Sequence, residues 1–215
     1  MLLLPSSVVR FGLALAAGGC AALSSHACAG DLAARVRDAQ GRPIEDAVVW
    51  AMPLSGQSPP RDTRAVTIVQ RDKRFIPRVT PVQVGTAVQF PNEDTVRHHV
   101  YSFSPAKVFS LKLYVGTPPN PVVFDKAGEV VLGCNIHDQM LAFVYGVDTP
   151  YFARSGADGA ARIANLLPGD YALHAWHPDQ SAAAAAARVS MRATGTVEHT
   201  LGVTLSERPR TAARP

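Results

Sequence analysis

Short runs of alternating apolar and polar residues dominate the chain from Leu32 onward, and Gly, Pro, Asn or Asp bounds most of them. A period of two is typical of β-strands that bury one face. Turn residues recur about every 8–12 positions, which is typical of a β-sandwich. The main predicted strands are VVWA (48–51), RAVTIVQ (64–70), VTPVQV (79–84), TAVQF (86–90), HVYSF (99–103), FSLKLY (109–114), PVVF (121–124), EVVLG (129–133), LAFVYGV (141–147), ARIANL (161–166) and YALHAW (171–176).

Composition supports an all-β fold and excludes general disorder. Of the 215 residues, 47% are hydrophobic and 18% charged, as in ordinary globular proteins. Seventeen Pro and sixteen Gly are many for a helical bundle. The run SAAAAAAR (181–188) alone favours helix, as one turn or a loose loop. The net charge is +4, but no basic stripe interleaves with aromatic residues, so we expect no nucleic-acid partner. We predict a disordered basic tail at 206–215.

The first 29 residues have the features of a secretory signal peptide. Arg10 precedes an apolar stretch over 11–23, and Ala27-Cys28-Ala29 is a small-x-small cleavage pattern. The alternatives are a short buried helix or a lipid anchor at Cys20. Export predicts a periplasmic protein, and we expect no membrane span after the signal peptide is removed.

Removal of the signal peptide would leave Cys134 as the one cysteine of the chain. An exported protein with a single thiol cannot form an internal disulfide. The thiol is then buried and inert, joined to another chain, or chemically occupied.

The loop GCNIHDQML (133–141) places Cys134, His137 and Met140 at i, i+3 and i+6. A thiolate, an imidazole and a thioether form a soft ligand set, which favours copper over calcium or magnesium. A blue-copper centre needs a second imidazole in addition. Zinc is the alternative for a Cys-His-His set, although the thioether is a poor zinc ligand.

Two adjacent histidines are candidates for that second imidazole. Strand alternation puts His98 on one face with Val96 and Val100, whereas His99 shares the other face with Arg97. The apolar face should look into the sandwich, so we choose His98.

The runs GTAVQFPNEDTVRHHVYSF (85–103) and GEVVLGCNIHDQM (128–140) resemble a cupredoxin. The Cys-x-x-His-x-x-Met spacing is similar to that of amicyanin, and the group most similar overall is the methylamine-utilisation proteins. The resemblance covers about residues 74–149. It implies a cupredoxin-type Greek-key β-sandwich with one copper per chain. The ligands that it implies are His98, Cys134, His137 and Met140. His99 and Asn135 depart from the residues usual at their positions in cupredoxins.

Two flanking segments resemble a second module. ARVRDAQGRPIEDAVVWA (34–51) and ADGAARIANLLPGDYALHAW (157–176) are similar to the small β-sandwich of carboxypeptidase-regulatory or transthyretin-like modules. Ser155, Gly156 and Ala161 depart from that pattern. We predict a discontinuous module over 30–59 and 150–205, with the copper domain at 60–149 between its halves. The alternative is two hairpins of one larger sandwich.

The sequence predicts an electron carrier rather than an enzyme. It has no Gly-x-Ser-x-Gly, phosphate loop or haem-attachment motif. Four protein ligands leave no position for a substrate, so the expected function is single-electron transfer to a redox partner protein by a monomer. A copper carrier or store and a structural interaction module are the alternatives.

Several other residues allow two interpretations. The charged run Arg71 to Arg74 is either a solvated turn or a docking patch for an acidic redox partner. Trp50 and Trp176 are core residues or lie between the two modules. His174 and His177 are expected at the surface or in packing.

Overall fold

A computed structural model describes residues 29–55 and 64–207. All but the last residue of the predicted signal peptide, and all but the first two residues of the predicted tail, lie outside these ranges. The described residues form strands and turns without a helix, which confirms the all-β prediction. No helix in this part of the chain is therefore long and apolar enough to cross a membrane.

The strands agree closely with the alternating runs of the sequence. The first eight are β1 (Gly30–Arg37), β2 (Val48–Pro53), β3 (Val66–Thr67), β4 (Val69–Arg71), β5 (Arg74–Ile76), β6 (Val79–Gln83), β7 (Thr86–Gln89) and β8 (His98–Ser104). The others are β9 (Lys107–Tyr114), β10 (Val122–Phe124), β11 (Gly128–Gly133), β12 (Leu141–Val147), β13 (Phe152–Arg154), β14 (Ala160–Leu166), β15 (Gly169–Trp176), β16 (Ala187–Met191) and β17 (Thr196–Gly202).

Two sheets enclose the central core. One has the strand order β6-β12-β11-β8-β9 and the other the order β10-β7-β3. Val100, Leu132 and Val144 from the first sheet share a buried cluster with Val88 and Phe124 from the second. The two sheets therefore pack face to face as a sandwich.

A second pair of sheets encloses another core. Their strand orders are β14-β1-β17 and β13-β2-β15-β16, and β1 pairs with β17 in parallel. Leu32 and Ile163 of one sheet pack in the same buried cluster as Val49 and Leu173 of the other. The proposed domain boundaries at 59/60 and 149/150 stay a prediction.

A third apolar cluster joins the two sandwiches. Trp50 and Trp176 from the β13-β2-β15-β16 sheet contact Tyr145, and Phe143 packs against Trp176. Both aromatic residues of β12 lie on the face that points away from the central core. Trp50 also stacks on His174, with ring centroids 5.0 Å apart.

One local prediction differs from the structure, and one that allowed two conformations is decided by it. The run 64–70 is split into β3 and β4, with Ile68 fully buried between them. Of the two conformations expected for the run 181–188, the structure has the loose loop, since residues 183–186 lead without regular structure into β16. The run is too short for its helical hydrogen bonds to offset the free-energy cost of helix nucleation. Ala184 and Ala187 instead pack against the core that contains Leu32.

Candidate metal centre

Three strands bring the candidate ligands to one end of the central sandwich. His98 begins β8, Cys134 directly follows β11, and β12 begins directly after Met140. Gly133 pairs with Tyr101 across β11 and β8, which places the start of the cysteine loop beside the histidine strand. A β-carbon at Gly133 would lie 3.0 Å from the Tyr101 ring, so glycine permits this close approach.

The side chains of His98, Cys134 and His137 converge. One potential ligand atom from each lies within 4.8 Å of those of the other two. Cys134 Sγ is 3.9 Å from His137 Nδ1, and the two imidazole centroids are 4.9 Å apart. Sulfur and nitrogen atoms that bind one ion at about 2.3 and 2.0 Å can be at most about 4.3 Å apart, so this separation suits a shared metal.

The hydrogen bonding of His98 leaves one ring nitrogen available. Its Nε2 lies 2.7 Å from Asp94 Oδ2, whereas its buried Nδ1 has no hydrogen-bond partner. An ionised carboxylate only accepts, so Nε2 carries the proton and the lone pair of a neutral imidazole is on Nδ1. A buried acceptor without a partner is costly, and a metal ion would satisfy it.

The carboxylate of Asp94 is held in its ionised form. Burial raises its pKa, but hydrogen bonds from the Lys73 N–H, from His98 and from the Asp72 N–H outweigh this, so the pKa is lowered overall. An ionised Asp94 fixes both the tautomer and the ring orientation of His98.

His137 is more accessible than His98. Burial is the main cause that lowers its pKa, and interactions with His98 and Lys73 act in the same direction, while Asp94 acts in the opposite direction. A lowered pKa favours the neutral imidazole, which is the form that binds metal. The Met140 N–H donates to the His137 carbonyl at 2.9 Å and closes the loop.

Met140 is fully buried in the same apolar cluster as Cys134. Its place in the ligand set stays a prediction. His99 does not join the cluster, because its side chain lies on the other face of β8, where Nε2 is 2.8 Å from Ser110 Oγ. His98 is fully buried and so lies on the inward face of β8 as expected, although Val96, which precedes the strand, is exposed; the assignment of His98 as a ligand stays a prediction.

Sequence reasoning missed three supporting residues. Asp94 is one, and the others are Gln70 and Tyr114, which form a buried hydrogen-bonded group with the Phe90 carbonyl. The pKa of Tyr114 is raised to about 12. Burial is the main cause and the nearby Cys134 adds to it, while the hydrogen bond from Gln70 lowers the pKa. The signal for Asp94 was its position four residues before His98, but no local pattern marks Gln70.

The central sandwich thus carries a His, Cys and His group at the end where β8 begins and β11 ends. This part of the chain is a two-sheet β-sandwich, which is the class of fold that the resemblance to cupredoxins implies.

Comparisons with solved structures report the following likenesses. A copper-containing nitrite reductase from Thermus scotoductus SA-01 is 24% identical over 45% of this chain and 25% of its own, with a TM-score of 0.37. A purple cupredoxin from Nitrosopumilus maritimus is 21% identical over 38% of this chain and 99% of its own, with a TM-score of 0.34. Amicyanin from Paracoccus versutus is 15% identical over 40% of this chain and 85% of its own, with a TM-score of 0.34. No protein-family model and no curated protein matches the chain.

The adjacent histidines of the central sandwich offer a matched pair of variants. His98→Ala is expected to weaken copper binding by more than the roughly 10–100-fold that loss of an outer hydrogen-bond partner costs. His99→Ala should bind copper as the unaltered protein does, because its imidazole faces away from Cys134. Competitive titration against a copper chelator measures both. Equal losses in the two variants would contradict the assignment of His98.

Proposed function

We propose that the protein is a type 1 copper protein that carries single electrons in the periplasm. Copper would supply a one-electron couple between Cu(I) and Cu(II). The observation that carries the proposal is the convergence of His98, Cys134 and His137, in which the buried Nδ1 of His98 has no hydrogen-bond partner. Together with Met140, these residues form the set of soft and imidazole ligands that suits copper in an electron-transfer site.

The four proposed ligands would close the site to substrate, so the proposed activity is electron transfer and not catalysis. His98 and Cys134 are buried, whereas His137 reaches the surface in part. We therefore propose that electrons leave through the His137 edge. Two exposed apolar side chains are close in sequence to the histidines: Ile136 directly precedes His137, and Val96 lies two residues before His98. We propose that these side chains would contact a redox partner protein.

Absorption spectroscopy during Cu(II) titration of the purified, metal-free protein tests the proposal. The expected result is an intense thiolate-to-copper band that saturates at one copper per chain. The band should disappear with a one-electron reductant and return with an oxidant over many cycles. Tight binding without the band would overturn electron transfer in favour of copper storage or transport, and no binding would overturn the metal site itself.

A further inference from the structure

The hairpin of β4 and β5 has an unusual turn. Asp72 and Lys73 form the connection, and their φ angles are 53° and 55°. Two-residue hairpin turns with two positive φ angles are usually made by Asn-Gly, Asp-Gly or Gly-Gly, so Asp72 is a common first residue, whereas a lysine at the second position rarely adopts positive φ. Both side chains are exposed, so packing of the side chains does not account for the conformation. The function of the turn should therefore depend on its main chain.

The two successive N–H groups of the turn bind one carboxylate. Asp72 N donates to Asp94 Oδ1 at 2.8 Å, and Lys73 N donates to Asp94 Oδ2 at 3.0 Å. Hydrogen bonds to an ionised acceptor are stronger than those between neutral groups. The Asp94 carboxylate therefore satisfies both N–H groups of the turn and stabilises its positive-φ conformation.

Further bonds hold the hairpin against the segment that carries Asp94. The Glu93 N–H donates to the Gln70 carbonyl at 2.9 Å, and Gln70 N donates to the Pro91 carbonyl at 2.8 Å. Arg71 Nε donates to Glu93 Oε2 at 2.8 Å. The turn and Asp94 are thus fixed relative to each other through both backbone and side-chain contacts.

Asp94 Oδ2 also lies 2.7 Å from His98 Nε2. We propose that the Asp72–Lys73 turn is a positioning element of the metal centre, because it fixes Asp94 and thereby aims the buried Nδ1 of His98 at Cys134 and His137. The inference rests on the proposed copper site. From sequence, the charged run from Arg71 to Arg74 is interpreted as a solvated turn or as a docking patch. The proposal instead assigns a function to the main chain of this run.

Variants of the turn separate its backbone from its side chains. A single glycine inserted between Asp72 and Lys73 should prevent both N–H groups from meeting one carboxylate. We expect Cu(II) affinity to fall about 10–100-fold, the usual range for loss of an outer-shell partner, with a shifted thiolate-to-copper band and reduction potential. Asp72→Asn keeps both N–H donors, and Asn tolerates positive φ. This variant should therefore have the copper affinity, absorption band and reduction potential of the unaltered protein. Arg74→Ala, in an exposed side chain of the same hairpin, is the matched control.

A double variant decides whether the turn acts through the carboxylate. In an Asp94→Asn background, the glycine insertion should cause little further loss of copper affinity, because the link is already broken. Losses that add in full would show that the turn acts by another route, and the proposal would be wrong.

Hydrogen exchange of the metal-free protein keeps the test independent of copper and of the insertion. Asp94→Asn should accelerate exchange at the Asp72 and Lys73 amides about tenfold or more, since it removes a charge-assisted acceptor. Unchanged exchange would overturn the proposal even if the insertion variant fails to fold. The unaltered protein could bind no copper while the exchange rates change as expected. In that case the proposed function is wrong, and the hydrogen bonds from the turn to Asp94 are a structural contact only.

Discussion

Cys134→Ser is expected to abolish the visible copper band completely. The intense absorption of a type 1 centre comes from charge transfer out of a thiolate, and Cys134 is the one free cysteine among the described residues. A serine hydroxyl is neutral at pH 7 and is a harder, weaker ligand, so copper affinity should also fall. Absorption and copper titration of the same samples measure both effects.

Met140→Leu is the matched control for this change. Both Cys134 and Met140 are buried in one cluster, so each substitution alters a side chain of the same environment. A swap of Met for Leu conserves volume and costs less than about 1.5 kcal/mol of folding stability. The band should remain, with an altered reduction potential if the thioether is the axial ligand. A band that persists in Cys134→Ser would show that the thiolate does not bind the metal.

Strand alternation predicted those parts of the site that depend on local backbone geometry. The face of β8 that carries His98 is buried because side chains alternate along a strand that borders a core. The short Cys134 to Met140 loop was recognisable because its residues are close in sequence. Both features are fixed within one strand or one turn, so the sequence alone contains them.

Other parts depend on contacts between distant segments. The parallel pairing of β1 with β17 joins residues more than 160 positions apart, and no pattern in either strand specifies its partner. The same holds for the turn at Asp72 and Lys73, whose N–H groups meet a carboxylate 21 and 22 residues away. From sequence alone, a charged run of this kind is interpreted as a solvated turn, because the sequence does not show which acceptor its main-chain N–H groups meet.

The cluster between the two sandwiches leads to the largest expected effect on stability. Trp176 is 5% exposed, and its ring stacks on Tyr145 with centroids 4.5 Å apart. Truncation of a buried aromatic residue to alanine usually costs about 3–5 kcal/mol, through lost burial and the cavity that remains. Against a total stability of about 5–15 kcal/mol, Trp176→Ala should destabilise the protein severely. Urea denaturation followed by far-UV circular dichroism measures the free energy of unfolding.

Phe103→Ala is the control for that variant, since Phe103 is 81% exposed on β8, in the sheet that Trp176 packs against, and should change stability by less than about 0.5 kcal/mol. The form of the transition carries further information. Trp176 packs on β12, the strand that begins directly after Met140, so the two sandwiches share part of their stabilising surface. If they unfold as one unit, Trp176→Ala should shift a single transition; if they unfold separately, it should split that transition in two. A change below about 1 kcal/mol with one unshifted transition would contradict the stabilising role of the cluster, because so small a loss is typical of a partly exposed side chain.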